Sequence, residues 1–312
     1  MIGSGQLGSR YLQGLVSIKE PISITVVDPS QESLALASHR LKEVSFSSSH
    51  NVQFQSLFPD HHEYFDLAIV STPAHCRARV IQELVVCNNI QSWVLEKVLA
   101  QSCCQLDQIE NCLLSSKQVW VNTPRRLMEW YQKINSLLLP DGPSPLRVQV
   151  TGGSWGLACN SIHFIDLVSW WSHAAVRSVS TEGLSTWIPS KRTGFYEVLG
   201  TLSVSYSDGS ELELYCGQGN EPVQIIVSAP QGDWVINESL GSIQGPSGRK
   251  LLGKLDFQSS LTAPLVRDIL HQGSSSLPKL SESLSQHRPL IASLLHHWNT
   301  SEGNDDTVVP IT

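Results

Sequence analysis

The amino-acid sequence predicts an α/β fold with a parallel sheet, followed by an α+β domain with a largely antiparallel open sheet. Within residues 1–122, apolar β-rich runs alternate with helical stretches, which is the pattern of a parallel sheet covered by helices on both faces. A glycine-rich loop directly precedes the first helical stretch. After residue 122, turn signals separate neighbouring strands with few long helices between them, which indicates antiparallel hairpins.

The first predicted domain, residues 1–122, consists of strands and the helices that connect them. The predicted strands are Ile22–Val27, Asp66–Val70, Trp93–Leu95 and Gln118–Val121. A further strand should precede the glycine-rich loop and lie in the centre of the sheet, yet only Met1 and Ile2 stand there. We therefore expect the first strand to be missing from this sequence, and the native chain to contain residues upstream of Met1.

The second predicted domain, residues 123–312, combines an antiparallel sheet with a few helices. The predicted helices are Met128–Leu138, Ser161–Trp171, Leu261–His271 and Leu280–Trp298. The two clearest hairpins pair Val198–Tyr206 with Glu211–Tyr215 and Val223–Ser228 with Asp233–Asn237. We expect Pro289 to kink or interrupt the last helix, because proline lacks a main-chain N–H. The residues after about 300 are predicted to form a loose tail.

The overall composition argues against several classes of protein. Hydrophobic residues make up 41% of the 312 residues and charged residues 16%, which is typical of a globular protein. A formal net charge of −7 argues against a nucleic-acid partner, which usually requires a basic face. No apolar run is as long as a bilayer span, and no signal peptide begins the sequence. We therefore expect a cytoplasmic protein with no membrane partner.

Neither the cysteines nor the histidines form a metal-binding pattern. The seven cysteines lack CxxC pairs, so we expect reduced thiols. The doublets His61-His62 and His296-His297 have no partner at HxxxH spacing, and adjacent side chains diverge. The sequence therefore predicts no metal site.

The glycine-rich loop is Gly3-Ser4-Gly5-Gln6-Leu7-Gly8, and Asp28 ends the next strand twenty residues after Gly8. This combination indicates a Rossmann-type dinucleotide site, because glycines let a pyrophosphate approach the main chain and the helix N-terminus attracts its charge. Asp28 is predicted to bind the adenosine ribose and to repel a 2′-phosphate, which favours NAD over NADP. The alternative is a glycine loop that binds nothing.

A lysine at a strand end is the first candidate catalytic residue. Glu96-Lys97 follows a predicted parallel strand, at the edge of the sheet where ligands bind in such folds. The Lys97 ammonium group can donate a hydrogen bond to a substrate hydroxyl and stabilise developing alkoxide charge. An ordinary solvated lysine is the alternative.

A helix with three polar residues on one side is the second candidate. Asn160, His163 and Asp166 recur at i, i+3 and i+6 after a glycine-containing loop, in which Asn160 or Ser161 is predicted to cap the helix. A histidine exchanges protons with an alcohol near neutral pH, although a hydrogen-bonded core histidine is an equal alternative. Asp166 is predicted either to orient His163 or to make a structural hydrogen bond.

Two pairs of basic residues are candidates for binding an anionic part of the substrate. Lys191-Arg192 precedes a glycine in a predicted loop, where a solvated charge is the favoured alternative. Arg125-Arg126 follows the last strand of the first domain, where a structural salt bridge is an even alternative. We retain Arg126, Lys191 and Arg192 as predicted substrate-binding residues.

Taken together, these features resemble the glucose–fructose oxidoreductase, inositol dehydrogenase and MocA (Gfo/Idh/MocA) family over most of the chain. The segments that carry the resemblance are, in order, GSGQLG, VSTP, Glu96-Lys97, VNTPRRLMEWY and HFID. The resemblance implies that Lys97 and His163 are catalytic and that Glu96-Lys97 corresponds to an EKP motif. It further implies that Ser71, Thr72 and Pro73 border the cofactor, that Asn122 lies near its nicotinamide end, and that Arg126 and Tyr131 begin the substrate domain.

Two positions depart from the family pattern. Val98 stands where a proline usually follows the lysine, and Cys159 stands where an acid commonly precedes the histidine by four residues. Asn160, next to Cys159, is predicted to supply a polar contact instead.

The resemblance implies an NAD-dependent oxidoreductase, with NADP the less favoured cofactor, acting on a secondary alcohol of a sugar, sugar acid or nucleotide sugar. It also implies a homodimer or homotetramer, for which the open face of the second sheet is the expected pairing surface. The two departures motivate an alternative, a non-catalytic sensor or scaffold protein with a degraded cofactor site. A redox-neutral lyase or glycosidase that keeps NAD bound is a third possibility.

Overall fold

The computed structural model describes residues 1–45, 47–58, 63–116 and 118–312, and the chain divides into two compact units. The first unit contains Met1–Leu99, Gln105–Pro124 and Asp256–Leu280. The second unit contains Ala100–Cys104, Arg125–Leu255 and Ser281–Thr312. Neither unit is one continuous segment, because a stretch from the predicted second domain packs in the first unit.

The strands and helices are numbered here in chain order. The strands are β1 (Ser23–Val27), β2 (Asn51–Gln55), β3 (Tyr64–Val70), β4 (Asn89–Glu96), β5 (Gln118–Asn122), β6 (Arg147–Gly153), β7 (Val176–Pro189), β8 (Tyr196–Tyr206), β9 (Glu211–Gly217), β10 (Gln224–Ala229), β11 (Gly232–Asn237), β12 (Ser242–Gln244) and β13 (Lys250–Leu252). The helices are α1 (Gly8–Leu15), α2 (Gln31–Leu41), α3 (Ala74–Cys87), α4 (Cys103–Leu113), α5 (Glu129–Leu138), α6 (Leu157–Ser172), α7 (Gln258–Gln272) and α8 (Leu280–Glu302). Short 3-10 helices span Pro124–Leu127 and Pro246–Gly248.

The sheet of the first unit is parallel, as predicted. β1 pairs with β2, and β3, β4 and β5 follow one another in order. Ile2 forms parallel bridges to Val27 of β1 and Val70 of β3. The Ile2 main-chain N–H donates to the Ile69 carbonyl over 2.8 Å, and its carbonyl accepts from the Ser71 N–H over 2.8 Å. Met1 and Gly3 make the hydrogen bonds to β1, since the Val27 N–H donates to the Met1 carbonyl and the Gly3 N–H donates to the Val27 carbonyl, each over 2.9 Å.

A groove of about 840 Å³ lies in the first unit between the amino-terminal parts of β1 and β3. Its lining includes Ile24 and Thr25 on one side and Asp66 and Leu67 on the other. Among the described residues, only Ile2 bridges these two strands.

Helix α7 covers α1 in the first unit, which the sequence did not indicate. The two helices approach closely at Gly14, where an added Cβ atom would lie only 2.5 Å from the Ser259 carbonyl oxygen. Gly14 is therefore required by the helix packing. This contact places the amino-terminal end of α7 beside the last turn of α1.

The second unit is built on an eight-stranded sheet in the order β13-β12-β11-β10-β6-β9-β8-β7. Only the β6–β9 pair is parallel, so the predicted largely antiparallel sheet is confirmed. The predicted β8–β9 hairpin forms, and its turn contains Gly209 with a φ of +89°. Side chains alternate between buried and exposed along β6 and β9, and α6 packs against this sheet at β8 and β9.

The structure corrects the carboxyl-terminal region in two respects. Helix α8 continues through Pro289, so the predicted interruption is wrong, and buried Leu284, Leu290, Ile291 and Leu294 hold the helix in the second unit. The residues after 300 do not end as a loose tail, since Val309 and Ile311 are fully buried. The Val309 N–H donates to the Gln101 carbonyl over 3.0 Å, and the Gln101 amide donates to the Ile311 carbonyl over 2.7 Å.

Four further features bear on partners and ligands. The described part of the chain has no helix with the length and hydropathy that crossing a bilayer requires. Within the same residues, no cluster of three or more His, Cys, Asp or Glu side chains is arranged to hold a metal ion. His61-His62 lie outside the described residues, whereas His297 accepts a hydrogen bond from the Trp187 indole over 3.0 Å. All seven cysteines are free thiols.

Candidate functional site

The predicted glycine-rich loop leads into α1 at the carboxyl-terminal edge of the parallel sheet. Gly3 has a φ of +85°, a conformation that favours glycine. At Gly8 an added Cβ atom would lie 2.0 Å from the Gly3 carbonyl oxygen, so the loop and the helix require glycine there. At Gly5, by contrast, an added Cβ atom would meet nothing within 4 Å. The main chain at Gly5 is therefore open to a ligand.

At the amino-terminal end of α1 two main-chain N–H groups already have partners, since Ser9 donates to the Gly5 carbonyl over 3.0 Å and Arg10 donates to the Leu7 carbonyl over 2.9 Å. Leu7 precedes the helix and supplies no side-chain cap, and the first turn contains no acidic residue. The first main-chain N–H groups of a helix lack partners inside the helix, and they carry a partial positive charge. The open space at Gly5 and this helix end together form a cradle of the kind that accepts phosphate groups.

Asp28 lies directly after β1, and its carboxylate holds the glycine-rich loop against the strand. One oxygen accepts from the Ser4 main-chain N–H over 2.7 Å and from the Ser4 hydroxyl over 3.2 Å. The other oxygen accepts from the Ser30 N–H over 2.9 Å. The oxygen that accepts from Ser30 has further acceptor capacity, which a ribose hydroxyl can use.

The end of β3 contacts the same loop. The Ser71 hydroxyl donates to the Gly3 carbonyl over 2.8 Å and to the Ile2 carbonyl over 3.1 Å. An added Cβ atom at Gly3 would lie 3.0 Å from the main chain of Ser71 and Thr72. Pro73 is exposed at the start of α3. The first unit thus brings its predicted cofactor residues from the loop, β1 and β3 to one edge.

Glu96, at the end of β4, is the centre of a buried polar network in the first unit. It is 4% exposed and accepts hydrogen bonds from the Tyr11 hydroxyl and, over 2.6 Å, from the Asn122 side-chain amide. The same amide donates to the Gln258 side chain over 2.9 Å. Burial raises the pKa of the Glu96 carboxyl, although both hydrogen bonds and the nearby charges of Arg77 and Lys97 oppose this rise.

This network links two predicted residues, Glu96 and Asn122, with two that the sequence did not single out. Tyr11 is a buried residue of α1, and Gln258 begins α7, far away in sequence. Lys97 follows Glu96 and is half-buried. The network therefore fixes the strand end from which Lys97 projects.

In the second unit, the helix that carries His163 begins earlier than predicted, at Leu157, and is capped from another strand. The Glu197 carboxylate on β8 accepts from the Ala158 N–H over 2.9 Å and from the Cys159 N–H over 3.3 Å. The Asn160 side chain instead donates to the Trp155 carbonyl over 2.8 Å. The predicted cap by Asn160 or Ser161 is therefore wrong, because a carboxylate from the sheet occupies that position.

Asp166 binds an arginine that was predicted to bind substrate. Its two carboxylate oxygens accept from the Arg126 guanidinium over 2.6 and 2.9 Å, and Arg126 also pairs with Glu282 over 2.5 Å. Arg126 is 5% exposed and Asp166 is 1% exposed. The ion pair matches the alternative of a structural salt bridge for Arg126 and of a structural hydrogen bond for Asp166. The orientation of half-buried His163 by Asp166 stays a prediction. Lys191 and Arg192 are exposed between β7 and β8, and their predicted role also stays open.

A second buried ion pair joins Arg125 to Glu238. The guanidinium donates to the two Glu238 oxygens over 2.8 and 2.9 Å, and the Tyr131 hydroxyl donates to Glu238 over 2.5 Å. Arg125 also lies over the Phe164 ring, 4.4 Å from its centre. Burial raises the pKa of Glu238, but the charge and hydrogen bonds of its partners outweigh burial and place that pKa below 4.5.

Replacing Glu238 with glutamine is expected to destabilise the chain at neutral pH by about 3–5 kcal/mol, because Arg125 loses its buried counter-charge. The folded-state pKa of Glu238 is depressed, so its contribution is present above pH 4.5 and is lost as the pH falls through the folded-state value. Urea unfolding at several pH values should therefore show the wild-type and variant stabilities converging in acid.

The matched control for this prediction is Glu211→Gln, because Glu211 forms an exposed pair with Arg147 over 3.3 Å. The Glu211→Gln variant should lose less than about 1 kcal/mol of its free energy of unfolding. Equal costs for the two variants, or a Glu238→Gln cost that does not change with pH, would contradict the assigned electrostatics.

Among the comparisons with known proteins, only the comparison with solved structures gives matches to this chain. No family model matches the sequence, and no curated protein matches it. An oxidoreductase from Agrobacterium radiobacter, solved with NAD+, L-tartaric acid and magnesium, is 15% identical, with 97% of this chain and 96% of that chain covered and a TM-score of 0.70.

Two other solved structures are similarly related. A biliverdin reductase from Synechocystis sp. PCC 6803, solved with biliverdin and NADP+, is 15% identical, with 95% of this chain and 96% of that chain covered and a TM-score of 0.70. A UDP-N-acetylglucosamine 3-dehydrogenase from Acidithiobacillus ferrooxidans is 14% identical, with 94% of each chain covered and a TM-score of 0.65. These neighbours are oxidoreductases of the Gfo/Idh/MocA type. This chain therefore has the fold of the Gfo/Idh/MocA-type oxidoreductases.

Proposed function

We propose that this protein is an NAD-dependent oxidoreductase that transfers hydride between nicotinamide and a secondary alcohol or ketone of a sugar, sugar acid or nucleotide sugar. The observation that carries the proposal is the open main chain at Gly5, which lies between an uncapped helix end and Asp28. Similar structures solved with NAD+ or NADP+ support a nicotinamide cofactor.

The first unit has the groups that a dinucleotide requires. Gly3–Gly8 and the start of α1 would hold the pyrophosphate, and Asp28 would accept hydrogen bonds from the adenosine ribose. Ser71, Thr72 and Pro73 would border the cofactor, and Asn122 would lie near its nicotinamide end, beside Glu96 and Lys97. When bound, the nicotinamide ring supplies or accepts a hydride ion.

The proposed proton chemistry uses one residue from each unit. The Lys97 ammonium donates a hydrogen bond to the substrate oxygen and stabilises its negative charge as the carbon–hydrogen bond breaks. His163 removes the hydroxyl proton during oxidation and returns it to the oxygen during reduction. Asn160 would contact the substrate or His163, and Asp166 would hold the helix through Arg126.

Asp28 is the proposed determinant of cofactor choice. Its carboxylate would repel the 2′-phosphate of NADPH, so we expect the wild-type chain to bind NADH more tightly than NADPH. Replacement of Asp28 with serine removes the charge and should reduce this preference by about tenfold or more. The measurement is a fluorescence titration with each reduced cofactor, and an initial preference for NADPH would contradict the assignment to NAD.

The test of the proposed reaction is a panel of polyols, sugars, sugar acids and nucleotide sugars, each offered with NAD+ and NADP+. The proposal expects reduced nicotinamide to form with at least one member, and the corresponding ketone to be reduced in the opposite assay. Saturable cofactor binding without turnover of any member would favour the sensor or scaffold alternative, which Val98 and Cys159 motivate.

The proposal also includes a cytoplasmic location and a homodimer or homotetramer. Light scattering of the purified protein tests the oligomeric state.

A further inference from the structure

Arg77 is a buried cation that the proposed reaction does not use. It lies in the first turn of α3 and is 2% exposed. Its guanidinium donates hydrogen bonds to the main-chain carbonyls of Thr72 and Val98, and over 3.1 Å to that of Leu99. Within the described residues, no carboxylate lies within 4.0 Å of it to form an ion pair.

This position is unfavourable for an arginine in two respects. Burial removes its charge from water and lowers the pKa of Arg77 to about 10, although the nearby charge of Glu96 opposes this lowering. Arg77 therefore remains charged at neutral pH. The positive end of the α3 dipole also disfavours a cation in the first turn. Hydrogen bonds to three carbonyls offset these costs, because a buried main-chain carbonyl without a donor is itself destabilising.

The three carbonyls belong to two different segments of the proposed site. Thr72 follows β3, in the segment expected to border the cofactor, whereas Val98 and Leu99 directly follow Lys97. Val98 and Leu99 are fully buried. The planar guanidinium presents its donors in a fixed geometry, so one side chain holds both segments at a set separation.

We propose that Arg77 is a positioning residue, which clamps the main chain after Lys97 to the segment after β3 and so sets where the Lys97 ammonium lies. The expected effect on catalysis rests on the proposed function. The clamp itself consists of hydrogen bonds within the first unit and does not depend on that function. Lysine is not an adequate substitute, because its single ammonium group cannot match the fork of a guanidinium.

The experiment compares Arg77→Lys and Arg77→Ala with the control Arg79→Ala, on the same helix. Arg79 is 76% exposed and pairs only weakly with Glu83, over 3.7 Å. The first measurement is hydrogen–deuterium exchange at the main-chain amides of residues 71, 72 and 97–99, where both Arg77 variants should exchange at least about tenfold faster than wild type. Arg79→Ala should match wild type in both segments.

The second measurement is turnover, with kcat and KM determined separately. Misplacement of Lys97 should lower kcat by about 100-fold in Arg77→Lys, with a much smaller change in the substrate KM. N-ethylguanidine added to Arg77→Ala should restore part of the lost exchange protection, since it can occupy the space that the side chain vacates.

The outcomes separate this inference from the proposed function. Faster exchange in both segments supports the clamp even if the wild-type chain turns over no substrate, in which case only the proposed function fails. Unchanged exchange in a folded Arg77 variant, or an unchanged kcat in an active protein, overturns the inference. Loss of the near-ultraviolet circular dichroism of the whole protein in both variants also overturns it, because Arg77 would then serve folding rather than position.

Discussion

Replacing Lys97 with methionine is expected to lower kcat by about 10²–10³-fold while NADH still binds with nearly wild-type affinity. The side chains have similar length, but methionine has no charge and donates no hydrogen bond to the substrate oxygen. Loss of a single donor to a developing oxyanion has an effect of this size in other enzymes. The measurements are steady-state kinetics with the substrate found in the panel and a fluorescence titration with NADH.

The control for this prediction is Lys133→Met, because Lys133 is exposed on α5 and pairs with Glu129 over 2.8 Å. It should leave kcat and NADH affinity unchanged. A Lys97→Met variant that turns over at the wild-type rate would remove Lys97 from the mechanism. An equal loss of NADH binding and kcat would instead assign Lys97 to the cofactor alone.

Alanine at Gly5 and alanine at Gly8 are expected to have opposite effects on stability and binding. At Gly5 an added Cβ atom has open space, so Gly5→Ala should fold with wild-type stability. The methyl group would stand where the pyrophosphate approaches the main chain, and NADH affinity should fall by at least about tenfold. Differential scanning calorimetry and NADH titration of the same samples measure both quantities.

Gly8→Ala should instead destabilise the first unit. Its Cβ atom would lie 2.0 Å from the Gly3 carbonyl oxygen and 2.9 Å from the Ser71 hydroxyl, so the loop has to move. Overpacking of this kind costs about 1–3 kcal/mol or more. If Gly5→Ala binds NADH as well as wild type does, the open space at Gly5 is not a phosphate site.

The glycine-rich loop and Asp28 were predictable because their spacing reports a local arrangement of strand, loop and helix. Gly3 and Gly8 are needed for the loop itself, and Asp28 holds Ser4 at the adjacent strand end. The alternation of strands and helices likewise predicts a parallel sheet, since each element has its own apolar pattern. Strand β2, Asn51–Gln55, was missed because its sequence NVQFQ has few apolar residues and none of them is fully buried.

The polar networks behind the site were not predictable, because they join residues distant in sequence. Gln258 reaches Asn122 only because α7 packs on α1, and nothing near Gln258 indicates that packing. Glu197 caps α6 from a strand about forty residues later. Arg77 follows the VSTP segment in a helix with polar and apolar residues mixed, so its burial has no local signal.

The carboxyl-terminal errors have the same origin. Pro289 and the polar residues after about 300 disfavour regular structure locally. The sequence pattern gives no information about the tertiary contacts that these residues make. Helix α8 nevertheless continues because its apolar side is buried, and Val309 and Ile311 dock through main-chain hydrogen bonds to Gln101. Tertiary packing overrides weak local preferences in both places.

The most direct test of the central claim is a calorimetric titration of the wild-type chain with NADH. A dinucleotide bound at the glycine-rich loop predicts saturable binding to one site per chain, with a Kd between about 1 µM and 1 mM, and competition by NAD+. The Gly5→Ala variant should bind more weakly under the same conditions. A folded wild-type protein that shows no saturable binding of NADH or NADPH in this range would contradict the account.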